Sequence, residues 1–229
     1  MSWAVVPAAG LGRRFGGDTP KQYLNLAGRP LIEHTLRALL RHPGIDAAMV
    51  AIAPDDPYWA GWREMEGKPI YTCMGGGERA DSVLAALMAL PATVDEDQWV
   101  LVHDAARPCV PAMDLTKLIA LGQADPVGAL LAAPVRDTVK SVDANGRIIR
   151  TEPRERLWRA LTPQMFRLEE LLVALAAHPD AAPSDDAQAL EAMGRFPLLV
   201  EGSAANIKVT RAEDLPLIEC ILRAQGENP

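Results

Sequence analysis

Four segments of this 229-residue chain combine residue types suited to phosphate chemistry. The first is Pro7-Ala8-Ala9-Gly10-Leu11-Gly12-Arg13-Arg14-Phe15, followed closely by Pro20-Lys21-Gln22-Tyr23. Small residues and glycines let backbone N–H groups approach a bulky anion. Arg14 and Lys21 would add fixed cations. A dinucleotide fingerprint needs a third glycine where Phe15 stands, and a Walker loop needs Gly-Lys-[Ser/Thr], which is absent here. The bland alternative is an ordinary strand-to-helix turn with solvated arginines. Displacement at an α-phosphate builds negative charge on non-bridging oxygens and on the departing pyrophosphate, and fixed cations stabilise that charge more than the ground state.

The second segment, Gly75-Gly76-Gly77-Glu78-Arg79-Ala80-Asp81-Ser82, precedes a helix. Its glycines permit close backbone approach to a flat base, and the helix start offers free N–H donors. The alternative is a flexible loop with Asp81 or Ser82 as N-cap. The third is Trp99-Val100-Leu101-Val102-His103-Asp104-Ala105-Ala106-Arg107-Pro108. A buried strand would deliver Asp104 at its carboxyl end, where open α/β sheets bind ligands. A carboxylate there suits Mg²⁺, which takes one or two protein oxygens plus substrate phosphates. The competing readings are a helix N-cap or an ion pair with Arg107. His103, one step along, should face the other way and pack in the core.

The fourth, Asn206-Ile207-Lys208-Val209-Thr210, puts a lysine in an apolar strand, where it meets an anion or snorkels at the edge. Ser184-Asp185-Asp186 opens a helix, and the dipole accounts for both aspartates while Ser184 could aim its hydroxyl at a ligand.

These segments need a scaffold. Short apolar runs at 3–7, 47–53, 70–73, 99–103, 128–133 and 197–201 read as strands. Helical patterns fall at 30–41, 81–90, 112–123, 168–177, 185–193 and 211–225. The alternation predicts an α/β fold, a mostly parallel sheet with helices on its faces. Thr210 and Glu213 form a capping-box signature, and Pro216 should bend the helix it sits in. Runs 138–142 and 147–151 flank Asn145-Gly146, a two-residue hairpin signal. That hairpin is mostly polar and marginal alone, so it must lean on the domain or on another subunit. One domain over 1–229 with a projecting arm over 136–158 is expected.

Composition narrows the partners. The net charge of −7 argues against nucleic acid and requires any phosphate site to be a local basic concentration. Arg13, Arg14 and Lys21 against Asp18 form one, and lysine is scarce, five against eighteen arginines. No stretch approaches the roughly 20 apolar residues of a membrane span. No basic region precedes the first apolar run, so no signal peptide is expected. Cys73, Cys109 and Cys220 lack metal or disulfide spacing, which predicts reduced thiols in a cytoplasmic protein.

The ordered set resembles the 2-C-methyl-D-erythritol 4-phosphate cytidylyltransferases of the non-mevalonate isoprenoid pathway. The matching runs are Ala-Ala-Gly-Leu-Gly-Arg-Arg at 8–14, Pro-Lys-Gln-Tyr at 20–23, Pro-Leu-Ile-Glu-His-Thr at 30–35 and Gly-Gly-Gly-Glu-Arg-Ala-Asp-Ser-Val at 75–83. Further on come Val-His-Asp-Ala-Ala-Arg-Pro at 102–108, Ala-Pro-Val-Arg-Asp-Thr at 133–138, Leu-Trp-Arg-Ala-Leu-Thr-Pro-Gln at 157–164 and Asn-Ile-Lys-Val-Thr at 206–210. Each is weak alone, but their order is specific.

The resemblance implies a Rossmann-like sheet with helices on both faces and a hairpin arm. It implies transfer of CMP from CTP to the polyol phosphate with Mg²⁺ and release of pyrophosphate. By the same resemblance Arg14, Lys21 and Lys208 are catalytic, and Asp104 holds the metal. Ala8, Ala9, Gly10, Gly12, Gly76, Arg79 and Ser82 would cradle the nucleotide. Ala105, Arg107 and Ser184 would face the acceptor, and Thr138 and Arg154 would reach it from the arm of a second subunit in a homodimer. Phe15, Ser184, Ala212 and Pro216 depart from the commoner pattern, and Ser184 keeps the hydroxyl. Some relatives are fused to a second enzyme, which is not expected in a sequence ending at Pro229. Other classes consistent with the nucleotide motifs are a cytidylyltransferase for ribitol 5-phosphate and a catalytically silent nucleotide-binding module.

Overall fold

Strands buried on both faces must be apolar throughout, and the centre of the sheet is built from such runs. The computed structural model describes residues 2–10, 19–177 and 183–226. In chain order the strands and helices are β1 (Ser2–Pro7), β2 (Asn25–Leu26), β3 (Arg29–Pro30), α1 (Leu31–Leu40), β4 (Ala47–Ile52), β5 (Glu64–Met65), β6 (Lys68–Met74), α2 (Arg79–Met88) and β7 (Trp99–Val102). There follow α3 (Ala112–Ala124), β8 (Ala129–Pro134), β9 (Val139–Val142), β10 (Ile148–Glu152), β11 (Trp158–Arg167), α4 (Leu168–Ala177), α5 (Asp186–Ala192), β12 (Leu198–Glu201) and α6 (Asp214–Ala224).

The main sheet has eight strands in the order β12-β8-β11-β7-β1-β4-β6-β5. β1 runs parallel to both β4 and β7, and β12 runs parallel to β8. β11 is antiparallel to both its neighbours, β7 and β8. Chain order reverses at β1, which opens a crevice at the carboxyl ends of β1 and β7, where such sheets bind ligands.

Alternation along the strands divides the core in two. Ala4, Val6, Ala48, Val50 and Leu101 pack with Ile32, Leu36 and Leu40 of α1 and with Leu115 and Leu118 of α3. Val5, Met49, Val100 and Val102 pack on the other face with α2, α4 and α5 through Val83, Leu87, Leu171 and Leu190. Ile218 and Leu222 of α6 close a third cluster over Ala106, Cys109 and Val209. The fold is a Rossmann-like α/β sheet covered on both faces.

Several local expectations need correction. β11 was not anticipated. It mixes Thr162, Pro163 and Gln164 with apolar residues, and its pairing with β8 shifts register between Ala160 and Gln164, which erases the period-2 signal. The hairpin turn is longer than two residues. Asp143 N–H donates to the Arg147 carbonyl at 2.9 Å, so Ala144, Asn145 and Gly146 form a three-residue loop with Gly146 at φ +76°. The Asp143 carboxylate fills it, accepting from the N–H groups of Asn145 and Arg147.

At α6 the carboxylate that reaches back to Thr210 is that of Asp214, not Glu213: its Oδ2 accepts from Thr210 N–H and from Arg211 N–H, at 2.7 and 2.8 Å, while Glu213 at the N-cap position makes no side-chain cap bond. With the helix starting at Asp214, Pro216 sits in the first turn, where no preceding helical carbonyl meets its ring, so the expected reason for a bend is absent. α2 begins at Arg79, so Asp81 lies inside its first turn and accepts from Glu78 N–H at 3.0 Å rather than serving as N-cap.

Candidate active site

The cleft at the carboxyl ends of β1 and β7 has a volume of about 1220 Å³. Ala8, Ala9 and Gly10 form one wall, Gly75, Gly76 and Gly77 another, and Asp104, Ala105, Lys21 and Lys208 reach into it. Segments separated widely in sequence therefore share one concave surface.

Two glycines are required by packing. A Cβ on Gly75 would lie 2.5 Å from the Ala9 Cβ, and one on Gly76 would lie 2.3 Å from the Asp81 Cβ. The glycine segment is pressed against both the first loop and the start of α2. The hydroxyl of Ser82, 3 % exposed, accepts from Gly76 N–H at 3.2 Å and lies 3.1 Å from the Glu78 carbonyl. Ser82 thus shapes the loop that lines the cleft as well as lining it.

Asp104 is the electrostatic centre, only 6 % exposed. Arg79 Nε donates to its Oδ1 at 3.0 Å. Arg107 Nε donates to Oδ2 at 3.2 Å, and Lys208 Nζ lies 2.9 Å from the same oxygen. Burial opposes ionisation, but Arg79, Lys208 and Arg107 outweigh it and hold the carboxyl well below the usual carboxylate range. Lys208 lies in irregular chain after β12 rather than in the expected strand, and Val209 N–H donates to the Ala106 carbonyl at 2.8 Å. Its anion is Asp104, which answers the desolvation argument. Lys21 Nζ donates to the Val209 carbonyl at 3.3 Å, which brings both lysines to the same end of the cleft.

Arg79 also grips Asp186 through both terminal nitrogens, at 2.9 and 2.7 Å. Burial opposes the charge on Arg79, but Asp186 and then Asp104 more than offset it, and the guanidinium stays ionised. The sequence offered only the helix dipole for Asp186. Its partner lies 107 residues away, and no local signal announces such a pair. Asp185 does cap α5, accepting from Gln188 N–H at 3.0 Å. The Asp104–Arg107 ion pair, one of the readings that competed with a metal ligand, is present, and Arg107 Nη1 also donates to the Asn206 carbonyl at 2.8 Å.

His103 is a fully buried core residue, as its position in the strand predicted. Its Nε2 faces the Arg107 carbonyl at 2.9 Å and must carry the proton; its Nδ1 then accepts from the Thr162 hydroxyl, also at 2.9 Å. Thr162 Oγ1 in turn accepts from Asp104 N–H at 3.1 Å. This chain fixes the backbone that carries the central carboxylate. Desolvation lowers the His103 pKa to about 4. β11 contributes a second support: Gln164, fully buried, donates to Asp185 Oδ2 at 3.0 Å and accepts from Ala187 N–H at 2.9 Å.

Of the residues singled out in the sequence, Ala8, Ala9, Gly10, Lys21, Gly76, Arg79, Ser82, Asp104, Ala105 and Lys208 line the cleft together. Arg107 stands beside them through Asp104. Ser184 is exposed, with its N–H donating to Gln188 Oε1 at 2.6 Å. Thr138 and Arg154 line a separate hollow of about 280 Å³ on the arm. Gly12 and Arg14 lie outside the described residues.

An open α/β sheet whose switch-point crevice gathers glycine-rich walls and converging cations belongs to the enzymes that handle nucleotide polyphosphates. Residues 2–224 match the profile of the 2-C-methyl-D-erythritol 4-phosphate cytidylyltransferase family. A protein of that name from Stenotrophomonas maltophilia (strain R551-3) is 58% identical over 222 residues, covering 96% of each chain. Another from Xanthomonas oryzae pv. oryzae (strain PXO99A) is 54% identical over 98% of this chain and 83% of its own. The crystal structure of the Francisella tularensis 2-C-methyl-D-erythritol 4-phosphate cytidylyltransferase superposes with a TM-score of 0.81 at 34% identity, covering 96% of this chain and 99% of that one. This chain belongs to the 2-C-methyl-D-erythritol 4-phosphate cytidylyltransferase family. It is a nucleotidyltransferase.

Proposed function

We propose that the enzyme moves the cytidylyl group of CTP onto the phosphate of 2-C-methyl-D-erythritol 4-phosphate in the cleft around Asp104. An oxygen of the acceptor phosphate attacks the α-phosphorus, a new P–O bond forms, and the bond to the bridging α–β oxygen breaks. Pyrophosphate leaves with that electron pair. The acceptor phosphate is already an anionic nucleophile near neutral pH, so no general base is needed, and catalysis is positioning plus electrostatics.

Ala8, Ala9, Gly10 and Gly12 belong to the loop that would cradle the triphosphate, with Ala8 N–H already bonded to the Ala51 carbonyl, while Gly76, Arg79 and Ser82 form the base and ribose side. Lys21, Lys208 and Arg14 stabilise the charge that grows on the five-coordinate phosphorus and on pyrophosphate. Arg107, Ala105 and Ser184 face the acceptor. The observation that carries this reading is the convergence of Arg79, Arg107 and Lys208 on one buried carboxylate in a cleft that Lys21 also lines.

Among the described residues no cluster of three His, Cys, Asp or Glu side chains could cage a metal. Mg²⁺ requires no such cluster, since it binds through one or two carboxylate oxygens and substrate phosphates. Asp104, held ionised at the cleft floor, is the residue that would hold it. When bound, the cation neutralises phosphate charge and polarises the α-phosphoryl group. Arg79 and Arg107 keep the carboxylate oriented.

The hairpin of β9 and β10 is proposed as a dimerisation arm that delivers Thr138 and Arg154 to a partner's acceptor site. Val142, Ile148 and Ile149 are more than half exposed, and an unsupported two-stranded hairpin is marginal in water. A cytoplasmic location is part of the same proposal, supported by three free thiols at Cys73, Cys109 and Cys220. No described helix is long and apolar enough to cross a membrane. The net charge of −7 speaks against a nucleic-acid partner.

The reading is tested by pyrophosphate release from CTP with the methylerythritol phosphate, with ribitol 5-phosphate and with no acceptor. Release dependent on the first acceptor is expected. A clear preference for ribitol 5-phosphate would reassign the substrate, and tight CTP binding without release on any acceptor would leave a silent nucleotide-binding module.

A further inference from the structure

Gln22 sits beside Lys21, is 4 % exposed and belongs to no role assigned above. Its carboxamide nitrogen donates to two carbonyls of the first loop, Ala8 O at 2.6 Å and Gly10 O at 3.0 Å. The loop leaves the sheet at this point: β1 pairs with β4 as far as Pro7 and Ala51, and Ala8 N–H makes a last bond to the Ala51 carbonyl at 2.7 Å. Beyond it, a loop that turns N–H groups toward a polyphosphate must turn carbonyls away from it, and those carbonyls need donors. A carboxamide NH₂ has two hydrogens for two carbonyls, which no hydroxyl or aliphatic side chain can match.

The same short turn, Lys21–Tyr23, is anchored on its far side. The Tyr23 hydroxyl donates to Asp56 Oδ2 at 2.7 Å, and its ring stacks on Tyr58 with centroids 5.6 Å apart. We infer that Gln22 is a positioning residue that locks the Ala8–Gly10 backbone in its triphosphate-binding conformation and registers it against Lys21. This inference rests on the proposed nucleotide role of that loop. A residue that only filled space would be replaceable by any side chain of similar volume, whereas a positioning amide is not.

The test compares the wild-type enzyme with Q22E and Q22M, each checked for folding by circular dichroism and thermal melting. Q22M keeps the length and removes both donors. Q22E keeps the shape but sets a carboxylate against two carbonyls, which raises its pKa and lets the protonated form donate one hydrogen. In both variants KM for CTP should rise by about tenfold or more, the scale of one or two lost hydrogen bonds, while KM for the acceptor stays within about twofold. The deficit of Q22E relative to wild type should shrink as the pH falls from neutral into the mildly acidic range, and that of Q22M should not.

An unchanged CTP KM in folded Q22M overturns the inference, and so does a Q22E deficit that ignores pH. If Q22E fails to fold, Q22M decides through the split between the two KM values. If wild type releases no pyrophosphate with any acceptor, the reaction assigned to the cleft fails instead. Calorimetric titration of CTP into wild type and Q22M then decides the positioning role by the same tenfold criterion.

Discussion

Asp104 owes its charge to three cations, and His103 next to it owes its neutrality to burial. The second effect has a measurable consequence. The His103 pKa falls from 6.5 to about 4 on folding, so between those values the unfolded chain binds the extra proton and the folded chain does not. Stability is then complete above pH 6.5 and is lost as the pH drops toward 4, by on the order of 3 kcal/mol from this residue. Burial lowers the pKa of His34 and His42 as well, so both add to the same slope. Urea midpoints measured across this range should fall steeply with acid in wild type and less steeply in His103→Gln, which cannot charge. Equal slopes in the two proteins would show that His103 titrates normally.

At the scale of elements, what could be read in advance was whatever the local pattern encodes. The apolar runs that became β1, β4 and β7 are buried on both faces and need no alternation to be seen, and α4 falls at Leu168–Ala177 as its periodicity required. The glycine segments were legible because close packing at Gly75 and Gly76 tolerates no side chain. β11 was illegible for the opposite reason: its exposed start, its proline and its register shift leave no regular period. Yet β11 supplies Thr162, which orients Asp104, and Gln164, which holds the start of α5. The grip of Asp186 on Arg79 and that of Gln22 on the first loop were hidden likewise, because a side chain's distant partner leaves no trace in its neighbours. The candidate site was read through residue type and position after a strand; the residues that hold it in shape emerged only with the fold.

The whole molecule sets a cationic cleft in a chain of net charge −7. Repulsion by the average surface makes the local cluster of cations decisive for a polyanionic substrate. The arm extends the argument beyond a single chain. Sedimentation at twice the chain mass is expected, and deletion of residues 139–150 should yield a monomer with impaired turnover, since Thr138 and Arg154 would no longer reach a partner's site. A fully active monomer would refute the arm's role.

The claim at the centre is that positive side chains from separate segments converge on one phosphorus and act chiefly in its transition state. Single-turnover rates and CTP dissociation constants for Lys21→Ala and Arg14→Ala test it most directly. The rates should fall by about 10²–10³ or more, with CTP affinity changing far less. Near-normal rates in both variants would contradict the account.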